Sequence, residues 1–285
     1  MTTVVSWNIQ CGLGVDNVVD LGRIAKVIKS QGDPDIICLQ EVARFDPISD
    51  KGQAADQYTI LSNLFPEHTP FFGPAIDHLY PGEDNRRQFG NMILSRLPVL
   101  QVFNHLLPQP RPEIPCKNMP RQALEVVVNL ESGPLRITTT HMEYHCAKQR
   151  YSQAEYLCKV QEEVIANQDY HSIAPSSGPY AAIHRPERSI ICGDFNAVVG
   201  EETYRLLNSE ILETSKHYID AWSAFHNDKK HAPTCGIFDP EQWPEGPHCR
   251  DFFFITESLT ALVANIFVDE QTDASDHQPV ILELA

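Results

Sequence analysis

The sequence predicts a mixed fold in which β-strands alternate with a few α-helices, an α/β or α+β arrangement. Short apolar or β-branched runs recur along all 285 residues, and only a few segments carry apolar residues at helical spacing. The composition is that of an ordinary soluble globular protein, with 42% hydrophobic and 21% charged residues. No repeat, coiled coil or low-complexity segment is evident, so we expect one domain over residues 1–285.

The N-terminal part of the chain predicts a strand–helix–strand unit. Residues 2–9 are strand-like, and apolar residues then recur at helical spacing over 20–31. Gly32-Asp33-Pro34 ends that helix, and an apolar strand follows over 36–41. The next predicted elements are a polar loop, a short helix, a strand, a surface loop and another strand, at 44–60, 57–64, 68–72, 74–88 and 89–95.

Further strands, separated by loops and helices, are predicted for the rest of the chain. Prolines crowd 107–120, which favours an irregular loop, and 171–187 is also expected to be a loop. Helical spacing predicts a helix at 148–166 and shorter helices at 201–208 and 219–222. The predicted strands are 99–106, 121–128, 135–141, 190–194, 251–256, 261–268 and 280–284.

Polar side chains stand where the apolar strands end. After the run Ile190-Ile191-Cys192, Asp194 and Asn196 are two residues apart, so an extended backbone places them on one face. Taken alone, this motif also fits an Asx turn in which both side chains bond local backbone. The same design recurs along the chain, and its members are Asn8, Glu41, His141, Asp194, Asn196, Asp251, Asp276 and His277.

This set of side chains has the chemistry of a divalent-cation phosphoesterase. Carboxylate and amide oxygens bind a hard cation. The cation then polarises a phosphoryl oxygen, and an imidazole transfers a proton near neutral pH.

The ordered motifs resemble those of the endonuclease/exonuclease/phosphatase (DNase I-like) superfamily. They are WNIQ, LQEV, THM, GDFN, RDFFFI and SDHQPV, and they span Ser6 to Pro279 in the family's order. The resemblance implies an α+β fold, a four-layered α/β/β/α sandwich of two facing β-sheets flanked by helices. It also implies a metal-dependent hydrolase of phosphoesters.

The resemblance implies that Glu41, with Asn8 beside it, holds the metal, and that Asp276 holds metal or supports His277. Mg²⁺ is expected, with Mn²⁺ next, because the donors are mainly oxygens. Gln10 is a departure, since several branches of the family carry a charged residue there. A neutral Gln10 weakens the case for a second tightly held metal ion.

Five further positions take catalytic roles by the same resemblance. Asp194 would orient or deprotonate the attacking water, and Asn196 would hold that water or a phosphate oxygen. His141 would stabilise charge on the phosphoryl oxygens. His277, oriented by Asp251, would transfer a proton.

Two residues are candidates for substrate binding, each with a structural alternative. Asn91 lies in GNMILSRLPV and contacts either the substrate or only its own strand environment. Arg121 faces the phosphate or braces a carboxylate in the sheet. In the following helix, Arg150 and Gln153 are expected to be structural.

Charge bears on the substrate. The 38 acidic residues exceed the 22 Lys and Arg, a net charge of −16, which disfavours generic binding of nucleic acid. We therefore expect a phosphodiester or phosphomonoester of small or lipid type, with a nuclease and a noncatalytic binding protein as alternatives. A basic rim would favour nucleic acid and an apolar rim would favour lipid. The candidates are Arg86, Arg87, Arg111, Lys117 and Arg121 for the first, and Phe71, Phe72 and Trp243 for the second.

The eight cysteines form no Cys-x-x-Cys pair, which favours reduced thiols. Residues 226–249 are rich in His, Pro and aromatics and are a candidate lid over the site. Within them, His231, Cys235, His248 and Cys249 have no standard zinc spacing. No secretory signal or membrane-length apolar run is visible, so we expect a cytoplasmic protein, and no protein partner is inferred.

Overall fold

The computed structural model describes residues 1–47, 55–168, 178, 180–181, 183–208, 218–227 and 229–285. Two six-stranded sheets carry the fold, with the strands numbered in chain order. The first has the order β11-β12-β1-β2-β4-β3 and the second the order β5-β6-β7-β8-β10-β9. The first sheet consists of β1 (Thr2–Asn8), β2 (Ile36–Arg44), β3 (Thr69–His78), β4 (Arg87–Ser95), β11 (Val263–Val268) and β12 (Val280–Leu284). The second consists of β5 (Val99–Leu106), β6 (Gln122–Leu130), β7 (Gly133–His141), β8 (Ser189–Asp194), β9 (Ile219–Asp220) and β10 (Asp251–Ile255).

The strand directions place the polar strand ends of both sheets at the same end of the molecule. β1 and β2 are parallel, as are β7 and β8. β12 runs antiparallel to β1, and β10 antiparallel to β8. The carboxyl ends of four central strands therefore meet the beginnings of β10 and β12.

Helices cover the outer faces of both sheets. The helices are α1 (Leu21–Ser30), α2 (Gln57–Leu64), α3 (Ala147–Ala166), α4 (Glu202–Leu207) and α5 (Ala221–His226), with 3-10 turns at Gln10–Gly12 and Glu257–Leu262. Helix α1 begins at the N-cap Asp20, whose carboxylate accepts from the Arg23 amide, and it buries Ile24 and Ile28 against Trp7 of β1. Helices α3 and α4 pack likewise on the second sheet.

The main core fills the space between the two sheets. Val4 and Ile36 of the first sheet pack with Val126, Ile190 and Phe253 of the second, and all five side chains are buried. Burial of each such side chain contributes about 1.5–3 kcal/mol, so this layer holds the sheets face to face. The predicted four-layered sandwich is confirmed.

Several predicted boundaries differ from the structure, among them the end of β2, which continues past Glu41 to Arg44. The strand expected at 68–72 continues to His78, because β3 pairs with β4 as far as Arg87 and passes a bulge after Pro74. The segment predicted as helical at 219–222 begins with the short strand β9, which pairs with β10, and only then turns into α5. Most of the loop predicted at 171–187 lies outside the described residues.

The cysteine prediction is confirmed, since all eight thiols are free. Cys38 and Cys192 are both buried in the core between the sheets, as expected for small apolar residues. Within the described ranges, no helix combines the length and the apolarity needed to cross a membrane.

Candidate active site

The strand ends bring together the side chains that the motifs single out. Asn8 ends β1, His141 ends β7 and Asp194 ends β8, while Asp251 opens β10 directly opposite Asp194. Glu41 lies within β2, and Asp276 and His277 lie just before β12. Every one of these side chains except Glu41 belongs to a buried residue.

Unusual backbone conformations aim two of these side chains. Glu41 has φ 59° and lies at an irregularity in the pairing of β2 with β4, where one extra residue turns a side chain out of register. Asn196 has φ 50°. Gly193, with φ 136°, lets β7 and β8 approach closely, since a Cβ there would lie 1.9 Å from the Thr140 carbonyl oxygen.

Asp194 lies at the centre of the site. Its Oδ2 accepts a hydrogen bond from Asn8 Nδ2 at 3.0 Å and lies 3.4 Å from His141 Nε2 and 3.7 Å from His277 Nε2. Its Oδ1 accepts from the Asn196 backbone amide at 2.9 Å. Burial opposes ionisation, but the His277 and His141 imidazoles and these hydrogen bonds lower the pKa of Asp194.

His277 and Asp251 form a buried acid–imidazole pair. The distance from His277 Nδ1 to Asp251 Oδ2 is 2.8 Å, and Thr234 Oγ1 donates to the same oxygen at 2.6 Å. Burial would lower the pKa of His277, but the charges of Asp251, Asp194 and Asp276 raise it well above its ordinary value. The pair therefore holds a proton on the imidazole, with Nε2 directed toward Asp194.

Glu41 and Asp276 form an electrostatically unfavourable pair of carboxylates. Burial first, and then the charge of Asp276, raises the pKa of Glu41 to about 7. Burial also raises the pKa of Asp276. A divalent cation between them would relieve this repulsion, so the donor set fits such an ion.

Asn8 meets that pair through its amide nitrogen. Its Nδ2 donates to Glu41 Oε1 at 3.1 Å as well as to Asp194, and its Oδ1 accepts from the Gln10 amide. Asp276 Oδ2 accepts a hydrogen bond from Gln242 Nε2 at 2.8 Å. Among the described residues, the grouping whose donor atoms all lie within 4.8 Å of one another is a different one, and it consists of Asp194, Asp251 and His277.

A cavity of about 530 Å³ opens over these residues. Arg121 lies in its wall, and its Nε is 3.4 Å from Glu143 Oε2, while its buried Nη1 has no hydrogen-bond partner. Arg121 therefore braces a carboxylate and also lines the cavity, while its binding of a phosphate stays a prediction. The lining residues are Gln10, Glu41, Asp46, Ile76, Phe89, Met119, Arg121, His141, Tyr144, His145, Asp194, Asn196, Gln242, Trp243, Asp276 and His277.

Asn91 is not among the residues that line this cavity. It is buried, and its Nδ2 donates to the Gln122 carbonyl and to Gln122 Oε1 at 2.9 and 2.8 Å. The structure therefore shows the structural alternative for Asn91. Gln153 and Arg150 are structural as expected, since Gln153 Oε1 accepts from the Glu143 amide and Arg150 pairs with Glu201.

Neither the basic rim nor the apolar rim is formed by the full set of residues named for it. Arg86 pairs with Asp77 and Arg87 with Glu83, and among the described lining residues Arg121 is the only Lys or Arg. Phe71 packs in the core between the sheets and Phe72 packs beside α2. Of the predicted apolar rim only Trp243 lines the cavity, where Ile76, Phe89 and Met119 form a different apolar wall.

The segment 226–249, the candidate lid, forms part of the cavity wall and is attached to the site by backbone pairing. Cys235 forms a β-bridge with His277, and Gln242 and Trp243 line the cavity. The zinc alternative finds no support, because His231 Nε2 is bound to Asp220 at 2.6 Å. In the described part of the chain, the zinc candidates do not group as metal-binding residues.

A model of the family described as "Endonuclease/Exonuclease/phosphatase family" matches residues 5–277. The chain belongs to the endonuclease/exonuclease/phosphatase family. Members of this family are phosphoesterases and nucleases, generally dependent on a divalent metal ion, so the chain is a hydrolase of phosphoesters.

Solved structures of the endonuclease/exonuclease/phosphatase family share the fold. One is a family protein from Beutenbergia cavernae, 24% identical, with a TM-score of 0.66 over 100% of this chain and 72% of that one. Another is a mannosyl-6-phosphatase from Bacteroides thetaiotaomicron, 20% identical, with a TM-score of 0.62 over 100% of both chains. The human Nocturnin catalytic domain, solved with bound sulfate, is 18% identical, with a TM-score of 0.61 over 100% and 93%. No curated protein matches.

Sequence reasoning missed several residues of this family site. Asp46, Gln242 and His145 line the cavity, and Thr234 holds Asp251. Asp46, Gln242 and Thr234 neither end an apolar strand nor belong to a family motif, so no local signal marks these three. Only Tyr144 and His145, which follow the THM motif closely, stand near a recognisable feature in the sequence.

Proposed function

We propose that this chain hydrolyses a small phosphodiester or phosphomonoester, or one of lipid type, by metal-assisted attack of water. One observation carries the proposal. The buried, unpartnered Nη1 of Arg121 belongs to a residue lining the same cavity as Asp194, His141 and His277. A buried cationic donor without a partner requires an anionic acceptor, and a phosphoryl group supplies one.

The metal site in this proposal consists of Glu41 and Asp276, with Asn8 beside them. Asn8 holds Glu41 Oε1 by its amide nitrogen and so orients that carboxylate. Mg²⁺ is the expected ion, with Mn²⁺ next, because the ligands are oxygens. When bound, the cation supplies charge for polarising a phosphoryl oxygen.

The chain's own groups handle the proton and the developing charge. Asp194, ionised by its neighbours, orients and deprotonates the water, and Asn196 presents its amide oxygen because its Nδ2 is held by the Met142 carbonyl. Burial, followed by the charge of Arg121, lowers the pKa of His141 to about 3, so His141 is a neutral N–H donor to a phosphoryl oxygen. His277, held by Asp251, gives its proton to the leaving group.

The cavity favours a substrate with one phosphate and an uncharged substituent. Four carboxylates line it, from Glu41, Asp46, Asp194 and Asp276, against the single guanidinium of Arg121. A polyanion such as nucleic acid would meet this negative charge, and among the described lining residues only Arg121 is a Lys or Arg that could hold its backbone. Ile76, Phe89 and Met119 instead offer an apolar wall for the rest of the ester.

The test compares three substrates with Mg²⁺, with Mn²⁺ and with EDTA. These are bis(4-nitrophenyl) phosphate, 4-nitrophenyl phosphate and plasmid DNA. We expect metal-dependent cleavage of an aryl phosphate, abolished by EDTA, and loss of turnover by orders of magnitude in Glu41→Ala, Asp194→Ala and His277→Ala. Faster cleavage of DNA would select the nuclease alternative, and full turnover by any folded variant would remove that residue's assigned role.

A further inference from the structure

A buried carboxylate that the proposed chemistry does not use lies behind Arg121. Glu143, two residues after His141, is fully buried. Its Oε2 accepts hydrogen bonds from Arg121 Nε at 3.4 Å and from the Met119 backbone amide at 3.3 Å. Its Oε1 accepts from the His145 backbone amide at 2.8 Å. All three donors belong to residues that line the cavity, so one side chain ties together three parts of its wall.

The position of Glu143 is itself fixed on both sides. Its backbone amide donates to Gln153 Oε1 at 2.9 Å, and its carbonyl accepts from Arg150 Nη1 at 2.8 Å. Both partners lie on helix α3, which packs against the second sheet. The carboxylate is therefore held rigidly relative to the strands that carry His141 and Asp194.

The charge of Glu143 has a consequence for Arg121 in an acidic cavity. A guanidinium stays protonated, and a buried one requires a counter-charge. Without Glu143, the carboxylates of the proposed metal site would compete for Arg121, and its guanidinium would shift toward them. With Glu143 bonded to Nε, the buried Nη1 of Arg121, a residue that lines the cavity, remains without a protein partner.

We propose that Glu143 is a positioning residue that holds the Arg121 guanidinium in the orientation for binding a phosphoryl group. This inference rests on the proposed function, since that function places the phosphoryl group in this cavity. Glu143 touches no reacting atom and acts through Arg121.

The test measures the affinity for inorganic phosphate by calorimetry at saturating Mg²⁺, together with steady-state kinetics. Glu143→Gln should weaken phosphate binding about tenfold or more and lower kcat/KM by about 10- to 100-fold, because the donor to the phosphoryl group is no longer held in place. Glu143→Asp keeps the charge and should recover part of both. In the Arg121→Ala background, adding Glu143→Gln should change neither value further.

Glu201→Gln is the matched control. It removes the charge from the 2.6 Å pair with Arg150, which braces the same segment, but it leaves the Arg121–Glu143 contact intact. Wild-type phosphate affinity in Glu143→Gln, equal losses in Glu201→Gln, or independent effects in the double variant would overturn the inference. A wild-type protein that cleaves no phosphoester, yet binds phosphate more tightly than Glu143→Gln does, would refute the proposed function and leave Glu143 its role.

Discussion

A buried ion-pair cluster in the second sheet gives a quantitative prediction about stability. Glu125 on β6 is 2% exposed and accepts hydrogen bonds from Arg185 Nε and Nη2 at 2.9 and 3.0 Å. Its Oε2 also lies 3.8 Å from His105 Nε2 and 3.9 Å from Arg136 Nη1. Burial alone would raise the pKa of Glu125, but the nearby His105, the bonds from Arg185 and the charge of Arg136 lower it from about 4.5 to about 2.

This pKa difference sets the size of the effect. Each tenfold change in proton affinity is worth about 1.4 kcal/mol, so ionised Glu125 contributes about 3 kcal/mol to the free energy of unfolding at neutral pH. Removing one partner of a buried ion pair costs a similar amount, about 3–5 kcal/mol, because Arg136 would keep an uncompensated charge. We therefore expect Glu125→Gln to unfold about 3 kcal/mol more easily at pH 7.

The dependence on pH follows from the sign of the shift. The folded-state pKa lies below that of the unfolded chain, so the contribution is fully present above about pH 4.5 and is lost as pH falls toward 2. Urea titrations of wild type and Glu125→Gln should thus differ by about 3 kcal/mol at pH 7 and converge near pH 2. The exposed Glu131→Gln, on the turn after the same strand, is the control and should change little. A difference under about 1 kcal/mol at pH 7, or one that does not shrink in acid, would refute the reasoning.

Three further predictions concern the site. Asp251→Asn should lower kcat by about 100- to 10,000-fold with little change in melting temperature, because an amide can still accept from His277 but carries no charge; kinetics and calorimetric melting check this. EDTA should abolish turnover and Mg²⁺ or Mn²⁺ should restore it, and Glu41→Ala should weaken Mn²⁺ binding in calorimetry while remaining folded. Gly193→Ala should destabilise the fold by about 2 kcal/mol or more in urea, because its Cβ would overlap the neighbouring strand, and a wild-type midpoint would contradict this.

The sequence predicted the strand ends well because each is marked by a local contrast. An apolar run that stops at a polar residue indicates both the strand and the side chain exposed at its end, as at Asn8, His141 and Asp194. The order of the strands could not be predicted this way, because pairing such as that of β1 with β12 joins residues nearly the whole chain apart. Family resemblance, and not periodicity, implied the sandwich of two facing sheets, and the strand order comes from the structure alone.

The site residues that lie outside the strand ends and the family motifs could not be predicted, for a physical reason. Gln242, Thr234 and Glu143 act by hydrogen bonds to residues far away in the sequence or on another element. Their own neighbours in sequence neither alternate nor recur at helical spacing. Arg121 is an intermediate case. The sequence identifies it as a candidate for substrate binding, but its pairing with Glu143 and the unpartnered Nη1 are visible only in the three-dimensional structure.

Backbone conformation shows where this site departs from local preference. Among the described residues, eight other than glycine have a positive φ, and Gln10, Cys11, Glu41 and Asn196 all lie in or next to the site. Each left-handed residue costs about 1 kcal/mol or more, and such residues persist only where surrounding contacts fix them. The contacts are present, because Glu41 is bonded by Asn8, and Asn196 is bonded to Asp194 and to the Met142 carbonyl. The same bonds that fix this backbone also hold the carboxylates close together, so the fold retains local strain, and it retains charge repulsion that a bound cation would relieve.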